Sequence, residues 1–182
     1  WGFNVEIGTS IGKREGTFGG SDYERYRDFQ YMMDNPNIKA IMCARGGYGF
    51  VRIVDRLNFS KFKNYPKWLI GFSDITTLHS HLFAQVGVAS IHSKMCNSFP
   101  SDALKATDVQ KATIDSIKNA LMGEKMNYSA QFNPSNRLGE ATGYLVGGNL
   151  RTLENMAGSV SQMKTEGCIL FLEDTGEYLY SV

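Results

Sequence analysis

Short apolar runs and amphipathic stretches alternate along the first two thirds of the chain. Buried strands are predicted at 39–44 (KAIMCA) and 68–72 (WLIGF), and shorter strands at 3–7 and 88–91. Apolar residues at helical spacing follow the 68–72 run, so the local order there is strand, sharp turn, helix. Helices that alternate with strands favour an α/β fold, with a mostly parallel sheet and flanking helices.

Two longer helices carry N-terminal capping signals. Ser21 with Glu24 three residues later forms a capping box, and the helix that it starts should end at 35–36 (Asn-Pro). Thr107 can cap a second helix that closes at Gly123. The apolar residues expected on one face of this second helix are Val109, Ile114, Ile117 and Leu121.

A polar segment precedes a second unit of the chain. The elements predicted in that unit are a strand at 140–146, a Gly147-Gly148 turn, a helix capped by Asn149 and a strand at 168–172. We therefore divide the chain into an α/β domain (1–125), a linker (126–138) and the start of a smaller, mostly β domain (139–182). The third part is short for an independently stable domain, so the natural protein is expected to continue.

Composition and charge narrow the class of partner. Lys and Arg number 19 against 18 Asp and Glu, which leaves a net charge of +1 without a basic block, so nucleic acid is not an expected partner. No apolar run approaches the roughly 18 residues of a membrane span. Cys43, Cys96 and Cys168 lie far apart and suit neither a disulfide framework nor a zinc site, so no metal or cofactor is expected.

A serine stands where the second predicted strand meets its helix. In Gly71-Phe72-Ser73-Asp74 this position has the geometry of a nucleophile elbow, in which a tight turn projects the hydroxyl from the sheet edge. The pattern lacks the second glycine of G-x-S-x-G, so by itself it favours an ordinary helix-capping serine over a nucleophile. The glycine-rich loop at 45–49 also follows a strand and should lie near the same edge, either as a substrate-binding loop or as a simple turn.

Carboxylates and histidines complete the candidate chemistry. Glu173 ends the last predicted strand and can orient a histidine, or it can be a solvated strand-end carboxylate. His79 and His81 are two apart on a helix and are expected to be ordinary helix residues. His92 ends a strand near the presumed site and is the best local candidate for a general base, although a structural role is open too.

Ordered sequence blocks resemble the LD-carboxypeptidase family, which includes the muramoyltetrapeptide carboxypeptidases. In chain order the blocks are Phe18-Gly19-Gly20 with Arg25 and Asp28, 44–49 (ARGGYG), 66–76 (PKWLIGFSDIT), 147–150 (GGNL) and 170–174 (LFLED). Several ordered blocks over nearly the whole chain are far more specific than any single one. The segment 91–95 (IHSKM) departs from the family's usual H-G-P-M.

The resemblance implies a serine peptidase that needs no metal. Ser73 is then the nucleophile and Glu173 the acid of the triad. The third member, a histidine, follows the last block in that family, and the sequence ends before reaching it. The resemblance also implies an opening strand before Trp1. The fragment alone is therefore expected to be inactive. The implied oxyanion hole consists of backbone N–H groups of Asp74, Gly46 and Gly47, and the implied substrate-binding residues are Arg45, Tyr48 and Asn149.

The activity implied for the full protein is cleavage of the L,D-peptide bond before the terminal D-alanine of murein tetrapeptides, in peptidoglycan recycling. The implied partner is a peptidoglycan-derived peptide, and the family also suggests a homodimer; a cytoplasmic location is a further expectation. A sister group that hydrolyses antibiotics of the microcin C type resembles the pattern equally well. A non-catalytic muropeptide-binding protein and a plain α/β interaction domain also remain open.

Overall fold

A parallel three-stranded sheet lies at the centre of the first part of the chain. The computed structural model describes residues 1–178 and Tyr180. Its first three strands are β1 (Ala40–Met42), β2 (Trp68–Gly71) and β3 (Ile91–His92), and β2 lies between the other two. Both strand pairs are parallel, and Gly71 is the register partner of His92. The carboxyl ends of all three strands therefore meet at one edge of the sheet.

Five α-helices accompany the strands in the described part of the chain. They are α1 (Asp22–Asp34), α2 (Ser60–Asn64), α3 (Thr76–His81), α4 (Asp108–Leu121) and α5 (Leu150–Asn155). Both predicted caps are present: the Ser21 side chain accepts a hydrogen bond from the backbone N–H of Glu24, and Thr107 does the same for Gln110. In the structure each of them is a capping box, which the sequence pattern predicted only for Ser21. The predicted apolar face of α4 is only partly correct, because Ile117 is buried whereas Val109 is 77% exposed.

The main hydrophobic core forms between the first sheet and its helices. Every residue of α3 is buried, and α3 continues into a π-helical turn at Leu82–Val86. The buried core residues are Met33, Phe50, Ile53, Val54, Leu57, Phe62, Leu69, Ile75, Leu78, Leu82 and Met95. Since α3 follows β2 directly, this packing fixes the direction in which the chain leaves the sheet edge.

A smaller parallel sheet follows in the second part of the chain. It consists of β4 (Tyr144–Asn149) and β5 (Cys168–Glu173), paired at six successive positions from Tyr144 opposite Cys168 to Asn149 opposite Glu173. The prediction of a Gly147-Gly148 turn is wrong, because both glycines lie inside β4. A pair of glycines in sequence is a common turn signal, but here the pair belongs to a strand. Their φ values of 137° and 145° are ones that favour glycine.

Two other predicted strands differ from the structure. Residues 3–7 form no strand and pair with no strand among residues 1–178 and Tyr180; Val5 is 84% exposed and Ile7 73% exposed. Alternating apolar residues do not suffice without a neighbouring strand to supply backbone hydrogen bonds. The predicted strand at 88–91 is shifted, because pairing with β2 begins only at Ile91.

The second part of the chain packs against α3. The Ser80 hydroxyl donates to the Ser161 carbonyl (2.5 Å), and the His81 Nδ1 lies 2.9 Å from the Ser161 hydroxyl. At the other end of α3, the Asn149 N–H donates to the Thr76 hydroxyl (3.0 Å). Residues 126–138 contain no helix or strand. The domain bounds themselves stay a prediction.

Candidate functional site

Ser73 adopts an unusual backbone conformation at the end of β2. Its φ is 60°, and every other positive φ among the described residues belongs to a glycine. The half-buried serine opens a short 3-10 turn that leads into α3, so the predicted order of strand, turn and helix is present. Gly71 permits this tight path, because a Cβ there would lie 2.8 Å from the Ile75 side chain. Such strained residues cluster at functional sites.

The glycine-rich loop after β1 lies directly against this turn. A Cβ added to Gly46 would be 3.3 Å from the Ser73 Oγ and 3.3 Å from the Met95 Cε. A side chain at this position would crowd the Ser73 hydroxyl. Gly47, the next residue, has a φ of 156°. The structure therefore brings the Gly46 backbone close to Ser73.

The Asp74 carboxylate fastens the same loop to the turn. Its Oδ2 accepts hydrogen bonds from the backbone N–H groups of Gly49 and Phe50, both at 3.0 Å. Burial raises the pKa of Asp74, while these two N–H donors oppose the rise by stabilising the charged form. Sequence reasoning named only the Asp74 backbone, because the approach of a loop 24 residues away leaves no local signal.

Two α1 residues of the upstream block each hold a loop: Arg25 contacts the loop after β1, and Asp28 contacts the loop that precedes α1. The Arg25 guanidinium donates to the Gly49 carbonyl (2.8 Å), on the side opposite Asp74. Asp28 accepts from the backbone N–H groups of Thr9 and Ser10, both at 2.9 Å, and so holds the preceding loop. Arg45 and Tyr48, the predicted substrate-binding residues, are exposed, and 87% of Tyr48 is accessible to solvent. The loop after β1 thus exposes the side chains of Arg45 and Tyr48, while Arg25 and Asp74 hold its backbone in place.

Glu173 and Asn149 end the paired strands of the second sheet side by side. The Asn149 amide is already engaged: its oxygen accepts from the Thr152 N–H (3.0 Å) and its nitrogen donates to Asp174 (3.1 Å). It therefore caps α5 and braces the loop after β5. Burial, with the neighbouring charge of Asp174, raises the pKa of Glu173.

His92 is the residue at which the two sheets meet. Its Nε2 lies 3.9 Å from the Glu173 Oε1, and its ring packs edge-on against Phe72 and Phe171. Burial lowers the pKa of His92. The His92 Nδ1 and the Glu173 Oε1 are both buried and have no hydrogen-bond partner within the described part of the chain. Buried polar atoms in a native site are normally satisfied, so this pair has free capacity for a further group.

The other two histidines are engaged in structural hydrogen bonds. The His79 Nε2 donates to the Gly71 carbonyl (2.9 Å), and its Nδ1 accepts from the Ser90 hydroxyl (2.7 Å). Burial lowers the pKa of His79 to about 4, so the ring is neutral at physiological pH. His81 bonds Ser161, as described above. Both roles agree with the interpretation of these residues as ordinary members of the helix.

Ser73 and Glu173 lie at the same edge of the fold, but Ser73 lies beside the Gly46 backbone, whereas Glu173 approaches His92. Ser73 comes two residues after Gly71, which pairs with His92, and His92 in turn approaches Glu173. Two open pockets lie here. The residues lining one, of about 340 Å³, are Phe72, His92, Ser93, Lys94 and Ser98; those lining the other, of about 450 Å³, are Leu150, Leu172, Glu173, Asp174, Thr175, Gly176 and Glu177.

The described residues contain neither a cluster of metal-ligand side chains nor a helix that could cross a membrane. No cluster of three or more His, Cys, Asp or Glu side chains with the arrangement of a metal site occurs in residues 1–178 and Tyr180. In the same residues, no helix combines the length and the apolar character that crossing a membrane requires.

The relatives of the chain are named as carboxypeptidases, and some of the names specify murein peptides. A probable murein peptide carboxypeptidase of Bacillus subtilis is 33% identical over 183 residues, which is all of this chain and 56% of that protein. The crystal structure of a muramoyltetrapeptide carboxypeptidase from Oxalobacter formigenes matches 94% of this chain and 56% of its own, with a TM-score of 0.81 and 29% identity. The chain therefore spans a little over half the length of these relatives.

The same fold occurs in a protein with another printed role. The microcin C7 self immunity protein MccF, solved in complex with aspartyl sulfamoyl adenosine, matches 91% of this chain and 57% of its own, with a TM-score of 0.75. Its identity of 22% supports a common fold and nothing finer.

Family models match both parts of the chain. The LD-carboxypeptidase N-terminal domain matches residues 1–93, and the LD-carboxypeptidase C-terminal domain matches residues 142–182. The first match holds the Ser73 turn and His92, and the second holds Asn149 and Glu173. With both domains matched in order and a parallel α/β fold shared with a solved relative, the chain is a member of the LD-carboxypeptidase family.

Proposed function

We propose that the protein to which this chain belongs is a serine carboxypeptidase that removes the terminal D-alanine of murein tetrapeptides by cleaving the preceding L,D-peptide bond. The observation that carries this proposal is the strained Ser73 at the carboxyl end of β2, beside a loop whose glycine leaves the hydroxyl accessible. A capping serine alone would need no positive φ, since ordinary N-cap residues have β-region angles. The family's named murein peptidases supply the substrate class.

The reaction would follow the usual course of acyl transfer. The Ser73 Oγ attacks the scissile carbonyl carbon while a base takes its proton, and backbone N–H groups of Gly46, Gly47 and Asp74 stabilise the oxyanion. The C–N bond then breaks as the base returns the proton to the amine of the leaving D-alanine. Water repeats the sequence on the acyl-enzyme and restores the serine. Asp74 supports this step by holding the loop through Gly49 and Phe50.

The base is the open part of the proposed triad. By family resemblance it is a histidine that follows the 170–174 block and is oriented by Glu173, whose Oε1 has free capacity for a donor. In that arrangement the 182-residue fragment shows no turnover. His92 is the alternative base, because it already lies 3.9 Å from Glu173. Replacing His92 by Gln in the full-length protein separates the two: loss of a true base lowers kcat about 10⁴-fold or more, whereas a supporting residue costs far less.

The central test is Ser73→Ala in the full-length protein. We expect release of D-alanine from murein tetrapeptide, followed by mass spectrometry, to fall at least about 10⁴-fold, because the nucleophile is lost. Ser129→Ala, an exposed serine in the 126–138 segment, is the matched control and should retain full activity. Turnover by Ser73→Ala close to that of the wild type would refute the proposal.

Two further measurements address the alternative functions. Covalent labelling of Ser73 by a fluorophosphonate, located by peptide mapping, is expected for a serine peptidase and not for a non-catalytic binding protein. Aspartyl sulfamoyl adenosine, supplied in parallel with the tetrapeptide, separates an antibiotic hydrolase from a murein peptidase by the ratio of kcat/KM. A cytoplasmic location and a homodimer are further proposals that rest on the family alone.

A further inference from the structure

Lys94 is a half-buried cation that has no counter-ion among residues 1–178 and Tyr180. It lines the pocket of about 340 Å³ together with Phe72, His92, Ser93 and Ser98. Among the described ion pairs none includes Lys94, so no carboxylate lies within 4 Å of its amine in that part of the chain. By contrast, the amine of Lys67, which is also buried, has a hydrogen-bond acceptor: it donates to the Met32 carbonyl at 3.1 Å. A partly desolvated, unpaired ammonium group beside hydroxyls is suited to an anion.

The sheet register puts Lys94 beside the Ser73 turn. Gly71 and His92 are partners at the ends of β2 and β3, and Ser73 and Lys94 each come two residues later. The Ser93 N–H donates to the Gly71 carbonyl at 2.9 Å, so the two loops leave the sheet edge side by side. Phe72, the residue before Ser73, lines the same pocket as Lys94. The pocket that Lys94 lines therefore begins at the residue that precedes Ser73.

The role that we assign to Lys94 rests on the proposed function. When a carboxypeptidase attacks the last peptide bond, the substrate's terminal carboxylate is only two bonds beyond the leaving nitrogen. We propose that Lys94, assisted by the hydroxyls of Ser93 and Ser98, binds this terminal carboxylate and thereby makes the enzyme select the last peptide bond. Arg45, which follows β1, is exposed, whereas Lys94 is half-buried. The segment 91–95 (IHSKM), which contains Lys94, departs from the family's usual H-G-P-M.

The test compares two substrates on the full-length protein. Murein tetrapeptide and the same peptide with a C-terminal carboxamide are offered to the wild type, to Lys94→Met and to Lys94→Arg. We expect the wild type to prefer the free acid. In Lys94→Met, kcat/KM for the acid should fall roughly 10- to 100-fold, the range for a hydrogen bond to a charged group, with little change for the amide. Lys94→Arg should restore much of the preference.

Controls keep the outcomes separate. Lys63→Met removes an exposed lysine on α2 and should leave both substrates unaffected; Lys94→Gln replaces Lys94→Met if circular dichroism shows the latter to be unfolded. If the wild type cleaves the tetrapeptide but the neutral variants keep its preference for the acid, the role of Lys94 is refuted and the proposed function stands. A third substrate is the tetrapeptide amidated at the side-chain carboxylate of diaminopimelate. If the neutral variants lose discrimination against this peptide and not against the C-terminal amide, Lys94 binds the side-chain carboxylate, and its proposed role is refuted. If the wild type cleaves neither peptide, the proposed function fails, and this inference with it.

Discussion

The buried imidazole of His79 joins three elements of the sheet edge through two hydrogen bonds. It belongs to α3, donates to the Gly71 carbonyl at the end of β2, and accepts from Ser90 just before β3. In the neutral ring the proton lies on Nε2, because a carbonyl accepts and cannot donate, and Nδ1 then accepts from the Ser90 hydroxyl. Burial disfavours the charged ring, so the stability of this arrangement beside the Ser73 turn depends on the charge of His79.

This dependence predicts a loss of stability in acid. The pKa of His79 is about 4 in the folded protein and 6.5 ordinarily, because burial disfavours the charged ring. The unfolded chain thus binds a proton that the folded chain refuses, and stability falls as pH drops through 6.5 and levels off near 4. Over this window we expect His79 to lower the free energy of unfolding by about 3 kcal/mol. Urea titrations at a series of pH values measure it.

A matched variant isolates this contribution. In His79→Gln the side chain stays neutral at every pH, so the part of the slope between pH 6.5 and 4 that is due to His79 should disappear. Carboxylates such as Asp28 titrate in both proteins and cancel in the comparison. An unchanged slope in the variant would contradict the assignment.

Features of single residues could be predicted only where the residues that define them lie close together in sequence. The Ser73 turn could be predicted, because an apolar run, a glycine and a helical period lie within a dozen residues. The Asp74 carboxylate on the Gly49 N–H and the approach of His92 to Glu173 could not, because each joins segments that only the folded chain brings together. The place of His92 at a strand end makes it a candidate base, but nothing in the sequence indicates its partner.

Among the elements, β4 shows how a glycine pair can be misread. Gly147 and Gly148 look like a turn, but they form the closest part of the β4–β5 pair. A Cβ at Gly147 would overlap the Phe171 carbonyl oxygen, and one at Gly148 would lie 2.6 Å from the Thr76 hydroxyl oxygen. The glycines thus let β4 press against β5 on one side and against α3 on the other, which places Asn149 and Glu173 at the site.

Replacing Gly147 by Ala is therefore expected to weaken the second sheet. The positive φ of 137° alone is costly for a residue with a side chain, by about 1–3 kcal/mol, and the overlap with Phe171 adds to it. We expect a loss of about 3 kcal/mol or more in the free energy of unfolding, measured by denaturant titration. Gly139→Ala is the control, because a Cβ there meets nothing within 4 Å, and it should be nearly neutral. Equal stability of the two variants would refute the packing argument.

Other elements could be predicted where the residues that define them lie close together in sequence. The α1 and α4 capping boxes each involve residues three apart, so the sequence alone located both helix starts. The run at 3–7 has the alternation of a strand but no partner among the described residues, and a strand is defined by its neighbour. The predicted face of α4 fails at Val109, because helical periodicity does not reveal where a helix's contact with the core ends.

For the whole molecule, α3 is the element on which both parts of the chain pack. Its core face contains Leu78, and its remaining surface receives β4, α5 and the loop around Ser161. The order of sheet, helix and second sheet followed from the alternating pattern, but no residue in either part indicated that they would meet across α3. The relative position of Ser73 and Glu173 depends on this packing.

The Ser161 contact offers a measure of how strongly the two parts are coupled. Its hydroxyl bonds the buried His81 Nδ1 at 2.9 Å, and Ser161 is only 4% exposed, so Ser161→Ala leaves a buried ring nitrogen without its partner. The cost should be about 1–3 kcal/mol in the free energy of unfolding. Because the bond between the Ser80 hydroxyl and the Ser161 carbonyl remains, the loop should be weakened rather than released. Amide hydrogen exchange should therefore accelerate in both α3 and the 156–162 loop, whereas Ser129→Ala should change neither. Faster exchange confined to the loop would mean that α3 is held by the first sheet alone, and that Glu173 is positioned independently of Ser73.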